Sequence, residues 1–444
     1  MSELFDPMLA AGPVRAEVSD AAWLRGLLDA EAALAAAEAD AGVIPREHAD
    51  RIAAVARDGG FDAAAIGEKS VGVGNPAAPL VRELTARVGG EAGRVVHLGA
   101  TTQDIVDTAA MLVSRRASAV LLDEAAACAD RLAELTREHA GTVQAGRTLL
   151  QQALPVTFGF QTAGWLSGLD AAADRLRAQR FAVQLGGATG TLASLGERGP
   201  AVLAAFARRL GLDEPVLPWH TERTRIAELA AALGALSGVV AGISRSLVLL
   251  AQTEVAEVAE VAEGSGGSST LPHKRNPVAA VAANAAAQQA PGLVATLLGA
   301  MAQEHQRAAG SWHAEWRPLT ELFRSTGSAV HWLRTSLDRL QVDADRMRAN
   351  LDITGGALLS ERVTTALAAE AGRLEAHDAV SACTRRALAG EGALADLLAG
   401  DPLVGKHLTR AGIEELLDPA GYLGSARVFT ERVLAAHEKR KETR

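Results

Sequence analysis

Residues 104–139 run for 36 positions without a glycine or a proline, about three times the usual helix length of roughly 11–12 residues. A helix that long can be buried only against partners of similar length, so the chain is read as a bundle. The surrounding sequence agrees. In residues 20–41 the apolar side chains Trp23, Leu24, Leu27, Leu28 and Leu34 recur at three- and four-residue spacing, with Gly42 as a stop and Pro45 opening the next segment. Further long helical patterns begin at Pro155, run over about 224–263, begin again at Pro277 with a kink at Pro291-Gly292 and an end near Arg307, and fit 320–350. Gly234, Gly238 and Gly242 fall four apart on one face, where missing side chains admit a close neighbour. The composition, 48% hydrophobic but 3% aromatic and dominated by Ala and Leu, favours helix packing over sheet. An all-α fold is expected, in three domains: 1–103, a central long-helix bundle over 104–350, and shorter helices over 351–444.

With 44 basic and 53 acidic residues the net charge is −9, the wrong sign for a general nucleic-acid or anionic-membrane binder. An anionic substrate must therefore meet local cations. Cys128 and Cys383 lack the count and spacing of a disulfide framework or zinc site, which fits a reducing compartment. The N-terminal residues lack a basic-then-apolar signal pattern, and no run of about 18 uninterrupted apolar residues occurs. A cytoplasmic protein without metal is the expectation.

The most informative stretch is GSGGSSTLPHKRNP at 264–277, a Gly/Ser loop between two long helical patterns. Pro277 suits a first helical position and Asn276 an N-cap, so hydroxyls and Lys274 would be delivered to a helix N-terminus, where anions are favoured. On composition alone, a solvated linker with one lysine fits equally well.

Residues 267–277 resemble the signature loop of the fumarase/aspartase superfamily, with Leu271 where that signature usually has Met. HLGATTQD at 97–104 and GRTLLQQALP at 146–155 agree with the same superfamily in order and spacing. The resemblance covers nearly the whole chain. It implies three helical domains, a central five-helix bundle, and a homotetramer whose active sites each draw on three subunits.

The resemblance also implies chemistry: anti addition or elimination beside a carboxylate, through a carbanion whose charge spreads into that carboxylate as an aci-form. By position, Ser268 moves the α-proton while Lys274 and Asn276 hold the aci-carboxylate. A serine does this only if its anion is stabilised, by loop amides, a helix N-terminus and Lys274. Thr101, Thr102 and Gln103 match the superfamily's hydroxyl and amide cluster that binds substrate, although Thr followed by Asp at a helix start also reads as an ordinary cap. Arg15, Asn75, His97 and Gln152 are further substrate-binding candidates.

Members that expel ammonia, water or an amine often carry a His in the second motif, paired with a Glu five residues past the signature Asn. Gln152 and Val281 stand at those positions here. A group that adds or leaves as a stable anion needs no such pair. GSWHAEW at 310–316 resembles a stretch of the muconate cycloisomerases, with Trp312 and Trp316 on one helix face; its H-x-E lacks the P-C-x-x-C of zinc deaminases. The implied reaction is cyclisation of 3-carboxy-cis,cis-muconate to its lactone, a step in protocatechuate breakdown. No cofactor is implied, and Lys274, Arg15, Arg275 and Arg147 are the candidate counter-charges to a tricarboxylate. A lyase acting on a nitrosuccinate-, adenylosuccinate- or argininosuccinate-like substrate, and an inactive helical scaffold, remain alternatives.

Overall fold

A computed structural model describes residues 4–262, 266–267, 271 and 273–442. The chain divides into two compact units, one of residues 1–125, 172–241 and 282–332, the other of 126–171, 242–281 and 333–444. The architecture is all-α, as expected. Its longest helices are Thr102–Glu138, Ser311–Asp338, Thr224–Leu250, Asp20–Asp40 and Phe158–Arg177.

In the first unit the Ser19 hydroxyl accepts from the Ala22 N–H (3.2 Å) and starts the Asp20–Asp40 helix. Gly26 lets that helix close on Thr102–Glu138: a Cβ there would lie 3.3 Å from that of Ala109. Gly234 does the same work, since a Cβ would meet Val294 at 2.9 Å, whereas one at Gly238 or Gly242 would meet no described atom within 4 Å. The Ser237 and Thr326 hydroxyls hydrogen-bond across two buried helices at 2.9 Å. Thr224–Leu250 is long and apolar enough to cross a membrane, yet 56% of its most apolar window is buried inside the protein.

In the second unit, helices from Ser360–Ala371 onward enclose a core of Val363, Leu367, Val380, Cys383, Leu398, Val404 and Ile413. The buried His437 ring bonds Asp170 at 2.9 Å and Asp130 at 3.0 Å, tying down the Ala426–Glu442 helix.

Four helix boundaries differ from the sequence reading; the simplest is the pattern from Pro277, expected to end near Arg307, which breaks after Ala287 and ends at Gly299. The pattern beginning at Pro155 is first a strand: Gln151–Thr157 pairs antiparallel with Val143–Thr148, placing Pro155 opposite Ala145. The helix starts at Phe158, with the Thr157 hydroxyl accepting from the Phe160 N–H. The helix over 224–263 stops at Leu250, and Val258–Glu260 pairs with Leu340–Val342. The repeated Val-Ala-Glu has a period of three that mimics a helix, but its β-branched valines suit a strand. The helix expected over 320–350 instead spans Ser311–Asp338 with Pro318 inside it. The carbonyl that Pro318 leaves unpaired belongs to exposed Ala314, where water can serve it.

Candidate active site

The first unit builds a polar cluster at the start of the Thr102–Glu138 helix. Asp104 is its knot. One carboxylate oxygen accepts from the Gly186 N–H (3.0 Å) and pairs with His220 Nε2 (2.6 Å); the other accepts from the Gly187 and Thr101 N–H groups (both 2.9 Å). Asp104 therefore supplies the anion that this helix terminus favours. Gln103 is buried and its amide is committed: Nε2 donates to the His220 carbonyl (2.9 Å) and Asp107 (3.2 Å), while Oε1 accepts from Arg307 Nε (3.2 Å). Arg307 also donates to the Thr101 hydroxyl at 2.5 Å and has no carboxylate partner among the described residues. Its fork of donors makes it a candidate counter-charge for an anionic substrate, one the sequence reading did not name. Thr102 is half-buried beside it.

Beneath this cluster lies a buried ion triad. Arg223 donates to both oxygens of Asp107 (2.8 and 3.1 Å) and of Glu315 (3.0 and 2.5 Å), and its guanidinium sits 4.8 Å from the Trp219 ring centroid. Burial alone would lower the Arg223 pKa; the two carboxylates reverse this and raise it. Burial raises the Glu315 pKa despite Arg223. Trp312 Nε1 donates to Asp107 (3.0 Å), and the Trp312 and Trp316 rings meet edge to face with centroids 4.8 Å apart, so the expected shared face is present. The residues of the H-x-E part company: Glu315 joins Arg223 while His313 bonds the Gly74 carbonyl at 3.0 Å. Among the described residues no group of three or more His, Cys, Asp or Glu is arranged to hold a metal ion.

The other candidates of this unit take different roles. Asn75 Oδ1 accepts from the Ala78 N–H (3.0 Å), which opens the Ala77–Val88 helix. His97 holds a left-handed backbone (φ 62°), an uncommon state for a side chain with a Cβ, and its Nδ1 lies 2.7 Å from buried Glu31. Arg15, in the short helix Val14–Glu17, is half-buried without a carboxylate partner among the described residues.

The second unit holds the other two motifs. Gly146 makes a bulge in the hairpin, because a Cβ there would lie 2.6 Å from the Leu154 carbonyl oxygen. Leu149 and Leu150 form the turn, both left-handed (φ 51° and 64°) and 98% and 71% exposed. Arg147 does not offer a free charge as expected: both its terminal nitrogens bind buried Glu257 (2.9 and 2.6 Å), which also accepts from Asn350 (2.8 Å). Gln152 Nε2 donates to the Asn350 carbonyl at 2.8 Å, and Val281 is 44% exposed. No His–Glu pair stands at those positions.

Ser268 lies outside the described residues. The neck of its loop is described: the Asn276 N–H and Nδ2 both donate to the Gly266 carbonyl (2.9 and 3.1 Å), and Gly267 bridges Arg275. Gly266 must be glycine, for its φ is 76° and a Cβ would lie 2.6 Å from the Asn276 carbonyl oxygen. Asn276 thus closes the loop instead of capping the next helix. Glu260 does the capping, accepting from the N–H groups of Ala279 (3.0 Å) and Ala280 (2.8 Å) at the start of Val278–Ala287. Lys274 and Arg275 are exposed, with no ion pair among the described residues.

A family model described as lyase matches residues 9–292, and one described as adenylosuccinate lyase C-terminus matches 356–433. The chain belongs to the fumarase/aspartase superfamily. Within it, this member is 46% identical over 443 residues to the 3-carboxy-cis,cis-muconate cycloisomerase of Pseudomonas aeruginosa, covering 98% of this chain and 96% of that one. It is 43% identical to the nitrosuccinate lyase of Streptomyces davaonensis, over 99% and 95% of the two chains. The crystal structure of the 3-carboxy-cis,cis-muconate lactonizing enzyme from Pseudomonas putida superimposes with a TM-score of 0.93 at 40% identity, over 99% of both chains.

Proposed function

We propose that this enzyme converts 3-carboxy-cis,cis-muconate to 4-carboxymuconolactone. One substrate carboxylate adds as its anion across the neighbouring double bond. The carbon on the opposite face, beside another carboxylate, takes up a proton through an aci-carboxylate carbanion. The observation that carries this reading is at Gln152, whose amide nitrogen is occupied by the Asn350 carbonyl. An uncharged, occupied group at that position cannot protonate a leaving amine, whereas lactonisation needs only one proton at carbon.

Ser268 delivers that proton, and Lys274 and Asn276 stabilise the aci-carboxylate. Arg307, Arg15, Thr101 and Thr102 meet the remaining carboxylates, Gln103 sets the Arg307 fork, and Asn75, His97 and Gln152 hold the surrounding backbone. The step moves a proton and no electrons, so its chemistry calls for no redox cofactor. We further propose a homotetramer in which copies complete one another's sites. Two features support it: the apolar Thr224–Leu250 helix with open positions at Gly238 and Gly242, and the exposed Leu149-Leu150 turn. The buried cysteines Cys128 and Cys383, which form no disulfide, support a cytoplasmic location.

The nitrosuccinate lyase relative makes elimination of nitrite the second reading, since nitrite also leaves as a stable anion. A pH-stat assay separates the two by sign. Lactonisation turns a carboxylate into an ester and consumes one proton per turnover; elimination of nitrite from nitrosuccinate releases one. Proton uptake with 3-carboxy-cis,cis-muconate, abolished by Ser268→Ala, is expected. Absence of uptake, with release from nitrosuccinate, would refute the cycloisomerase reading.

A further inference from the structure

Two acids of the Asp20–Asp40 helix have no part in the chemistry above. Glu31 and Glu38 are 1% and 0% exposed and sit seven residues apart on one helix face. Neither carboxyl oxygen of Glu38 has a hydrogen-bond partner among the described residues. Glu31 gives one oxygen to His97 and leaves the other without a described partner. Burying two acids in an apolar helix face weakens a fold. Their use is to be sought where Glu31 points, at His97.

His97 begins a short turn that ends at Thr101. The middle of the turn is fixed: Gly99 has φ 74°, a Cβ on it would lie 2.5 Å from Leu195, and its carbonyl oxygen lies 3.0 Å from where a Cβ on Gly187 would stand. One end is pinned by Asp104, which accepts from the Thr101 N–H. The other is pinned by Glu31, which holds the ring of a residue in a strained left-handed conformation. Thr101 in turn holds Arg307.

We infer that Glu31 is a positioning residue: its ion pair with His97 sets the turn that places Thr101 and Arg307, and the pair lasts only while His97 keeps its proton. This rests on the proposed substrate-facing role of Thr101 and Arg307. The titratable groups around His97 are Glu31 and Asp104, with Glu38 behind Glu31 and His220 on Asp104. Burial works against the charged ring, but Glu31 outweighs it and Asp104 adds to the effect, so the His97 pKa is raised. Burial, with Glu31 adding, keeps Glu38 neutral at pH 7, so no second negative charge competes for the imidazolium. Because the folded pKa is raised, the pair is complete at acid pH and is lost as pH climbs through it.

The test is the pH dependence of kcat and KM for wild type, Glu31→Gln, His97→Gln and Thr101→Ala, with His97 followed by NMR of its ring in the full protein. Glu31→Gln should lower the pH at which His97 titrates and, lacking the pair at every pH, should show a KM that no longer rises with pH. At acid pH its kcat/KM should be several-fold below wild type, with kcat nearly retained and the two enzymes converging at alkaline pH, where wild type has lost the pair as well. His97→Gln should abolish the alkaline rise altogether, and it decides the matter alone if Glu31→Gln does not fold. An alkaline rise in KM that survives in His97→Gln or in Glu31→Gln overturns the proposal. Unchanged KM in Thr101→Ala overturns the substrate-facing reading, a failure visible separately from the NMR titration.

Discussion

Glu38→Gln tests how the protein tolerates a fully buried, unbonded acid. Burial, with Glu31 adding, pushes the Glu38 pKa from 4.5 up to about 9. Below pH 4.5 the carboxyl is protonated in both the folded and the unfolded chain and contributes nothing. Above it the unfolded chain sheds the proton while the folded one keeps it. Each pH unit then costs about 1.4 kcal/mol of stability until the folded group titrates. At pH 7, 2.5 units above the unfolded value, the cost has reached about 3 kcal/mol. Glutamine has the shape of the neutral acid and no proton to lose, so Glu38→Gln should match wild type near pH 4.5 and gain on it steadily toward pH 9. Urea unfolding at fixed protomer concentration, repeated across that range, measures the difference. Two parallel stability curves would refute the burial argument; a gap that widens by about 1.4 kcal/mol per pH unit would support it.

Arg307→Ala should lower kcat/KM for a polycarboxylate by about 100-fold. That corresponds to ~3 kcal/mol, or two charge-assisted hydrogen bonds of ~1.5 kcal/mol each, and Arg307→Lys should recover only part of it. Steady-state kinetics at low and high salt check this, and a loss under threefold would remove Arg307 from the site. Arg223→Met leaves Asp107 and Glu315 buried without their cation, a loss of ~3–5 kcal/mol in unfolding free energy at neutral pH. Unfolding curves should show it shrinking toward acid pH, where the two carboxylates gain protons.

The long helix of residues 104–139 was legible because nothing in it interrupts helix formation, and the helix Thr102–Glu138 follows it closely. The three superfamily motifs were equally local signals. The hairpin at Gln151–Thr157 escaped because Pro155 reads as a helix opener, while its true role depends on pairing with Ala145. The Ser311–Asp338 helix tolerates Pro318 because its cost falls on an exposed carbonyl. The polar cluster around Asp104 was half legible. Thr101 and Gln103 stand in a motif, but Arg307, 204 residues from Gln103, carries no spacing that announces it. Nor does Arg223, which closes on Asp107 and Glu315 at separations of 116 and 92 residues. Only the folded chain brings such charges together.

Asp104 and Glu260 each fill a helix start with a carboxylate from the same chain. The positive ends of two backbone dipoles, otherwise natural seats for a substrate anion, are already occupied. Under the proposed function, recognition of a guest's negative groups is thereby handed from backbone, which every sequence shares, to side chains such as Arg307 and Arg15, which a single codon can change. A scaffold wired in this way can pass between polyanions by small edits at its rim while its helices stay as they are. Relatives at 46% and 43% identity bear the names of a muconate cycloisomerase and a nitrosuccinate lyase, a divergence such a division of labour makes easy.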